Sequence, residues 1–257
     1  MKGEGAVEAI VLAGQRNTGI LREVSDAAYE GEIPVAGRPM LDWVLDALLQ
    51  AAGITRVIVV GPASAPRPGV EWVPMGEDLL TNVMAGMAAV KNSERVLIAT
   101  GDIPLVSGPI VDELLQMAPQ ADLVYPVVPR EIIEQRTPGV KRTYVRLRDG
   151  VFTGGNLFLV NPAIVPQVAD TARVLLSHRK SPTKLARDIG LRFLIRLFLG
   201  QLTLAGAERR VSEVLGVHGR VLVVPYAEVG VDVDKPSDWM TVTRMLEAQL
   251  ESAATRR

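Results

Sequence analysis

Short apolar runs alternate with helical patterns along the first half of the chain. Four runs are nearly continuous in apolar residues and short enough to be buried strands: 7–13, 56–60, 95–99 and 122–128. Between them, apolar residues recur at the spacing of one helix face over 40–49, 79–90 and 110–117. Because strands that alternate with helices favour a sheet covered on both faces, we predict an α/β fold with a doubly wound, mostly parallel sheet.

The second half of the chain changes character. Arg148-Asp149-Gly150 is a turn signal between two short apolar segments, which predicts a hairpin. The elements expected there are a hairpin at 143–153, a strand at 157–160, a helical stretch at 162–216, a strand at 221–224 and an amphipathic helix at 237–250. No internal repeat or low-complexity linker divides the chain. We therefore predict a single domain over residues 1–257 with a helical insertion near 170–216.

Composition narrows the class of protein. The 28 Lys and Arg side chains nearly balance the 29 Asp and Glu side chains, which disfavours a globally basic nucleic-acid binder. The absence of cysteine excludes a disulfide scaffold, a thiolate metal site and a cysteine nucleophile. Glu8 interrupts the first apolar run, and no apolar stretch reaches the roughly 20 residues that a membrane span needs. We expect a soluble, cytoplasmic protein, and composition predicts no oligomeric state.

The charge is unevenly distributed. Residues 173–210 hold nine basic side chains and two acidic ones, so this stretch carries +7 and the rest of the chain −8. One interpretation, which we favour, is a solvated helical face that packs its apolar side chains inward while Arg192 and Arg196 extend to water. The side chains expected to pack inward are Leu191, Leu194, Ile195, Leu197, Phe198 and Leu199. A second interpretation is a cap over a substrate phosphate, and a third is a surface helix that touches anionic lipid or grips a lipid tail. Membrane contact is not the expectation.

The loops that follow the strands hold the candidate chemistry, because ligands of open parallel sheets bind beyond the carboxyl ends of the strands. After the first strand, Gly14 and Gly19 allow close backbone approach, and exposed N–H groups in such a loop can cradle phosphates. Arg16 and Arg22 can add charge-assisted hydrogen bonds to phosphate oxygens. Two glycines five residues apart also fit an ordinary turn between a strand and a helix.

Acidic residues follow two later strands. Asp102 stands at the end of the third strand beside a proline-stiffened turn, where a carboxylate suits Mg²⁺. Asp232 and Asp234 are two residues apart in an extended segment, so both can face one cation. Helix capping and surface charge are the plainer explanations for all three. Lys141 and Arg142 are further candidates for holding a substrate phosphate.

Four segments in this order resemble the MobA-like nucleotidyltransferases. They are Leu12-Ala13-Gly14, then 33–41 (IPVAGRPML), then Gly101-Asp102-Ile103-Pro104, and finally 232–238 (DVDKPSD). The resemblance covers residues 7–161 and 220–250 and leaves out the basic insertion. It implies a Rossmann-like, doubly wound, mostly parallel sheet of the nucleotide-diphospho-sugar transferase type. It also implies Mg²⁺-dependent transfer of a nucleoside monophosphate from an NTP to a phosphorylated small-molecule acceptor, with release of pyrophosphate.

The resemblance also implies roles for individual residues. Asp102 and Asp232, with Asp234, are expected to bind the metal, and Asp102, Arg22 and Asp232 to be catalytic. The nucleotide side comprises Leu12, Ala13, Gly14, Gln15, Arg16, Asn17, Gly19, Asn82 and Gly101. The acceptor side comprises Lys141, Arg142, Gly155, Asn156, Arg179 and Lys180. Arg179 and Lys180 belong to the basic stretch. If that stretch is a cap over a substrate phosphate, His178 and Lys184 would contribute to the cap as well.

Two positions depart from the family pattern. Gln15 replaces the second glycine of the first loop, and Glu30 stands where the family has a lysine. A cation for the triphosphate must then come from Arg16, Arg22 or Arg38. The same departures motivate an alternative, a catalytically impaired nucleotide-binding regulatory or scaffold protein of this fold. An NAD-type dehydrogenase is disfavoured because the first loop lacks a third glycine. Serine-hydrolase, zinc and Walker A patterns are absent.

Overall fold

A computed structural model describes residues 7–62, 67–91, 93–178 and 181–255. Within these ranges the strands are β1 (Val7–Leu12), β2 (Pro34–Val35), β3 (Arg38–Pro39), β4 (Ile54–Gly61), β5 (Val70–Pro74), β6 (Val96–Thr100), β7 (Leu123–Pro129), β8 (Val145–Leu147), β9 (Gly150–Gly154), β10 (Leu157–Val160) and β11 (Gly219–Val223). The α-helices are α1 (Met40–Gln50), α2 (Leu79–Ala89), α3 (Gly108–Met117), α4 (Arg130–Arg136), α5 (Val165–His178), α6 (Pro182–Ile189), α7 (Leu191–Phe198), α8 (Leu204–Leu215) and α9 (Pro236–Thr255).

The main sheet has parallel strands on one side and mixed strands on the other. Strands β5, β4, β1 and β6 are neighbours in that order and all run parallel. Strand β10 then lies between β6 and β7 and is antiparallel to both. Strand β7 also pairs with β9 in the antiparallel sense and with β11 in the parallel sense, and β8 extends β9. The predicted doubly wound, mostly parallel α/β sheet is therefore confirmed.

Alternate residues of β1 face two different cores, as the pleat of a strand requires. Ala9 and Val11 belong to the core beneath α1, α3 and α9, whereas Ile10 and Leu12 belong to the core beneath α2 and α5. Helix α2 approaches β1 closely, since a Cβ atom on Gly86 would lie only 2.6 Å from Cγ2 of Ile10. Close contact on both faces explains why the strand is apolar throughout, apart from Glu8.

Glu8 is buried in this central strand and is nevertheless paired. Its carboxylate accepts a hydrogen bond of 2.8 Å from Arg56 on β4, and it also accepts one from the backbone N–H of Lys91. A buried charge is tolerated when it is paired and hydrogen-bonded in this way. The pairing removes the conflict between the apolar pattern and the acidic residue in it.

The helical stretch predicted at 162–216 contains helices α5 to α8, the first of which begins at Val165. Helix α8 packs against β11, and α7 contacts β8. The inward packing expected for α7 is only partly right. Phe193 and Leu197 pack against a small core, but four other apolar side chains point to solvent: Leu191, Ile195, Phe198 and Leu199. Among the described residues, no helix is both long and apolar enough to cross a membrane.

Candidate active site

The loop after β1 is fastened to the segment that follows it. The backbone N–H of Glu30 donates to the carbonyl of Gln15 (2.9 Å), and that of Asn17 donates to the carbonyl of Ala28 (3.0 Å). The buried amide side chain of Asn17 also donates to the carbonyls of Ser25 (2.8 Å) and Ala27 (3.0 Å). Asn17, expected on the nucleotide side, therefore directs its amide N–H groups to the loop itself and holds the loop's shape.

Gly14 opens a space beside α2. A Cβ atom at Gly14 would lie 3.1 Å from both Nδ2 of Asn82 and Sδ of Met75, so a side chain there would crowd its neighbours. Asn82 is buried, and its Oδ1 accepts a hydrogen bond of 2.7 Å from the backbone N–H of Gly76. The structure thus brings together Gly14 and Asn82, which the sequence assigned to the nucleotide side from segments far apart in the chain.

The three arginines that could replace the missing lysine differ in exposure and in the partners of their guanidinium groups. Arg16 is exposed and stacks over the ring of Tyr29, with 5.3 Å to the ring centroid. The guanidinium of Arg22 reaches the carbonyl of Asn17 at 3.4 Å, and its side chain is 55% exposed. Arg38 instead pairs with the carboxylate of Asp46 at 2.6 Å. Arg16 and Arg22 therefore remain the available cations of the first loop.

Three carboxylates converge at the end of β6. Each of Asp102, Asp232 and Asp234 offers an oxygen, and these oxygens lie within 4.8 Å of one another. The backbone N–H of Val233 donates to the carbonyl of Asp102 (3.0 Å), which fixes the late acidic segment against this strand end. One carboxylate oxygen of Asp102 is buried and accepts no hydrogen bond from the described residues. Burial raises the pKa of Asp102, and the charge of Asp234 adds to that effect.

Glu30 is a fourth carboxylate at this place. Burial, together with the charges of Asp102 and Asp234, raises the pKa of Glu30 to about 7. The sequence marked this position only as a missing lysine. The structure shows that it faces the acidic cluster, so the departure from the family pattern changes the sign of the charge at the site.

Arg142 balances part of this negative charge. Its guanidinium, only 7% exposed, bonds to both the carboxylate and the backbone carbonyl of Asp232, and it lies 3.5 Å from Asp238. Asp238 is fully buried at the start of α9, and that burial raises its pKa against the opposing effect of Arg142. Arg142 is thus paired within the acidic site, and its assignment to the acceptor phosphate stays a prediction.

The other described residues expected on the acceptor side are Gly155, Asn156 and Lys141. The backbone N–H of Gly155 donates to Pro126 (2.9 Å), and a Cβ atom on this buried glycine would lie 2.9 Å from Val229. The backbone of Asn156 joins Thr100 and Val229 by hydrogen bonds of 3.1 and 2.9 Å. The side chain of Lys141 is exposed. Arg179 and Lys180 lie outside the described residues.

The remaining nucleotide-side positions lie where the strands β1 and β6 end together. The backbone N–H of Gly101 donates to the carbonyl of Leu12 (3.1 Å), and that of Ala13 donates to Val60 (2.8 Å). Gln15 and Gly19 are exposed in the first loop. The first loop and Asp102 are therefore adjacent at the carboxyl edge of the parallel strands, which is the usual ligand edge of such sheets.

Comparisons with known proteins agree with this geometry. A family model described as the MobA-like NTP transferase domain matches residues 9–187. The 2-C-methyl-D-erythritol 4-phosphate cytidylyltransferase of Cereibacter sphaeroides is 30% identical over 193 residues, which cover 70% of this chain and 80% of the relative.

Two solved structures show the same fold. A hypothetical transferase from Thermus thermophilus is 43% identical with a TM-score of 0.83, and the match covers 91% of this chain and 99% of that one. CMP:2-keto-3-deoxy-manno-octonic acid synthetase complexed with CTP is 14% identical with a TM-score of 0.62, over 94% of this chain and 99% of that one. At this lower identity the likeness concerns the fold alone.

Proposed function

The chain belongs to the MobA-like NTP transferase family and is a nucleotidyltransferase, and we propose that it transfers a nucleoside monophosphate to a phosphorylated small-molecule acceptor. In this reaction an acceptor phosphate oxygen bonds to the α-phosphorus of an NTP. The bond from that phosphorus to the bridging oxygen breaks, and pyrophosphate leaves with the electron pair. The single observation that carries the proposal is the convergence of Asp102, Asp232 and Asp234 beside the first loop.

The acidic residues fit Mg²⁺. They offer only oxygen ligands, as this cation prefers, and one buried oxygen of Asp102 lacks a hydrogen-bond donor among the described residues. Asp102 and Asp232 would hold the ion, with Asp234 beside them. When bound, Mg²⁺ supplies positive charge that offsets the charge of the phosphates.

The chain's own residues do the positioning. Asn17 holds the first loop in place through its bonds to Ser25 and Ala27, and Gly14 leaves room next to Asn82. Arg16 and Arg22, exposed at the rim of this loop, donate charge-assisted hydrogen bonds to the triphosphate. Catalysis of this kind rests on orientation and electrostatic stabilisation.

A pyrophosphate assay tests the proposal. The protein is incubated with Mg²⁺, each of the four NTPs and a panel of phosphorylated acceptors, starting with CTP and a polyol phosphate because the curated relative is a cytidylyltransferase of that kind. We expect pyrophosphate and a nucleotidylated product whose mass equals acceptor plus nucleoside monophosphate. Asp102→Asn should lower the rate about 100-fold or more, since it removes a carboxylate that would hold the Mg²⁺ whose charge offsets that of the phosphates. Asp170→Asn, at an exposed carboxylate of α5 that belongs neither to the first loop nor to the acidic site, is the matched control and should keep the rate.

Two observations favour a second function. Glu30 is a carboxylate at a position where the family has a lysine, and the guanidinium of Arg142 is hydrogen-bonded to the carboxylate of Asp232. Both features suit a nucleotide-binding regulatory or scaffold protein without turnover. Tight nucleotide binding with no pyrophosphate from any acceptor would support this alternative and reject catalysis.

A further inference from the structure

Helix α7 presents an apolar ridge to solvent. Leu191, Ile195, Phe198 and the next residue, Leu199, follow the i, i+4, i+7, i+8 spacing and therefore share one side of the helix. Their exposed fractions are 63%, 48%, 79% and 63%. We refer to these four residues as the α7 ridge. Single exposed apolar side chains are ordinary, whereas a contiguous group of this size on one short helix marks an interaction surface.

The opposite side of α7 is already docked on the domain. Phe193 and Leu197 pack against a core that includes the buried residues Leu202 and Phe152. Helix α7 also contacts β8, and Gly200 lies close to Arg146 of that strand. Since the inward face has its own core, the ridge is an additional apolar face rather than a badly packed inner one.

Arginines flank the ridge on one side. Arg192 and Arg196 follow one another at i, i+4 on α7, next to Ile195 and Leu199 on the helical wheel. Together with the α8 residues Arg209 and Arg210 they line a groove of about 700 Å³ between the two helices. We refer to these four residues as the arginine groove.

The charges of the arginine groove are mostly unpaired. Among the described residues, no ion pair involves Arg192, Arg196 or Arg209. Glu213, the acidic residue of the groove lining, pairs with Arg210 at 3.1 Å. The groove therefore presents positive charge directly beside exposed apolar side chains.

We propose that the α7 ridge and the arginine groove dock the protein on the surface of an anionic lipid bilayer, with α7 lying in the plane of the interface. Helices that lie at this interface combine an apolar face, which enters the headgroup region, with basic residues that attract anionic lipids. Each Lys or Arg near such a surface adds attraction. The ridge supplies the first element and the groove the second. The proposal goes beyond nucleotidyl transfer and does not depend on it.

The shape of the surface favours a bilayer over another protein. Phe198 and Leu199 stand at the end of α7, just ahead of Gly200, and with exposed fractions of 79% and 63% both side chains project into solvent. A projecting ridge can insert between lipid headgroups without a complementary hole in the partner. The cationic flank of Arg192 and Arg196 complements anionic headgroups on the same side.

Vesicle flotation tests the proposal with the full-length protein. One set of vesicles contains phosphatidylcholine alone, and the other contains phosphatidylcholine mixed with anionic phosphatidylglycerol. We expect at least about tenfold stronger binding to the anionic vesicles, and weaker binding at high salt because salt screens the arginines. No binding by the wild type to anionic vesicles at low salt, or equal binding to both sets, overturns the proposal.

Matched variants separate the two elements of the surface. Phe198→Ser with Leu199→Ser should lower binding at least about tenfold, since it removes apolar insertion. Leu250→Ser, at an exposed apolar position of α9, is the control and should bind as the wild type does. Arg192→Gln with Arg196→Gln should also weaken binding, whereas Arg136→Gln with Arg244→Gln changes the net charge equally and should not.

A spectroscopic measurement keeps the test decisive if the serine variant does not fold. Phe198→Trp places a reporter on the ridge, and its emission should shift to the blue and be quenched by brominated lipid in anionic vesicles. An unchanged emission overturns the proposal. So does a concentration-dependent dimer that is lost in Phe198→Ser while vesicles leave the wild type unbound, because the ridge would then be an interface between two copies of this chain.

Discussion

Replacing Glu30 with glutamine tests the electrostatics of the acidic site. The carboxyl group of Glu30 has a pKa raised to about 7 by burial and by the charges of Asp102 and Asp234. Glutamine keeps the size and shape of the side chain but cannot ionise. The variant therefore removes a negative charge that lowers the stability of the folded protein.

The size of the effect follows from the pKa. Moving a carboxyl group from 4.5 to about 7 corresponds to about 3 kcal/mol at 1.36 kcal/mol for each pKa unit. Because the side chain is only half-buried, screening by solvent lowers the expected value to about 1–2 kcal/mol. This is a large fraction of the free energy of unfolding of an ordinary domain.

The stability difference between Glu30→Gln and the wild type grows as the pH rises. The folded pKa is higher than the unfolded one, so the folded state retains the proton over the window from 4.5 to about 7. Ionisation of Glu30 therefore reduces the stability of the wild type as the pH rises through that window. We expect Glu30→Gln to match the wild type near pH 4 and to be about 1–2 kcal/mol more stable near pH 8.

Urea unfolding followed by tryptophan fluorescence, at a series of pH values and with a chelator present, measures the difference. Glu23→Gln, at an exposed carboxylate at the end of the short 3-10 helix Ile20–Glu23, makes the same chemical change away from the acidic site. Adding Mg²⁺ should narrow the gap between Glu30→Gln and the wild type, because a cation offsets the negative potential at Glu30. A gap that stays constant with pH, or a variant less stable than the wild type at pH 8, would refute the reasoning.

Three further substitutions test the packing and the charge balance around the site. Asn17→Ala removes two hydrogen bonds to the first loop and should lower the free energy of unfolding by about 2 kcal/mol, and isothermal titration should show weaker nucleotide binding. Gly86→Ala should lower the melting temperature, since overpacking against Ile10 costs about 1–3 kcal/mol and outweighs the gain in helix propensity; a higher melting temperature would contradict the 2.6 Å approach. Arg142→Ala leaves the buried Asp238 without its guanidinium partner and should cost about 3–5 kcal/mol near pH 7 in urea unfolding, while acid pH should reduce the loss because Asp238 can then be protonated.

The fold was largely predictable because its central strands are apolar on both faces. Strands β1, β6 and β10 lie between neighbours and beneath helices, so burial selects nearly continuous apolar runs. Strand β5 was missed because it lies at the sheet edge and carries Glu71 in a half-exposed pattern. Helix α4 was missed because seven residues after Pro129 are too few to establish a helical period.

The site was predictable only in part, since its key contacts join distant segments. Asp102, Asp232 and Asp234 were identified from their positions after strands, and the structure brings them together. The pairing of Arg142 with Asp232 spans 90 positions, and no local pattern encodes it. Glu30 was noticed as an exception to a family motif, but its place beside the carboxylates depends on how the first loop folds back onto residues 28–30.

Helix α7 shows a different reason for failure. Its apolar residues occur nearly all round the helix, so periodicity identifies two apolar faces without stating which of them packs inward. Leu202, a buried residue that follows the helix in the chain, packs in one core with Phe193 and Leu197, so the face that carries these two residues is the inward one. The outward ridge thus depends on a tertiary contact that lies beyond the helix itself.

The arginine groove is not part of the acidic site. Arg192, Arg196, Arg209 and Arg210 line a groove whose lining shares no residue with the acidic site among the described residues. The acidic site itself combines several carboxylates with the paired Arg142, so the protein alone offers little attraction for a triphosphate there. Under the proposed function, the cations that neutralise the phosphates would be the first-loop arginines and a metal ion, and the arginine groove would serve a separate anionic partner.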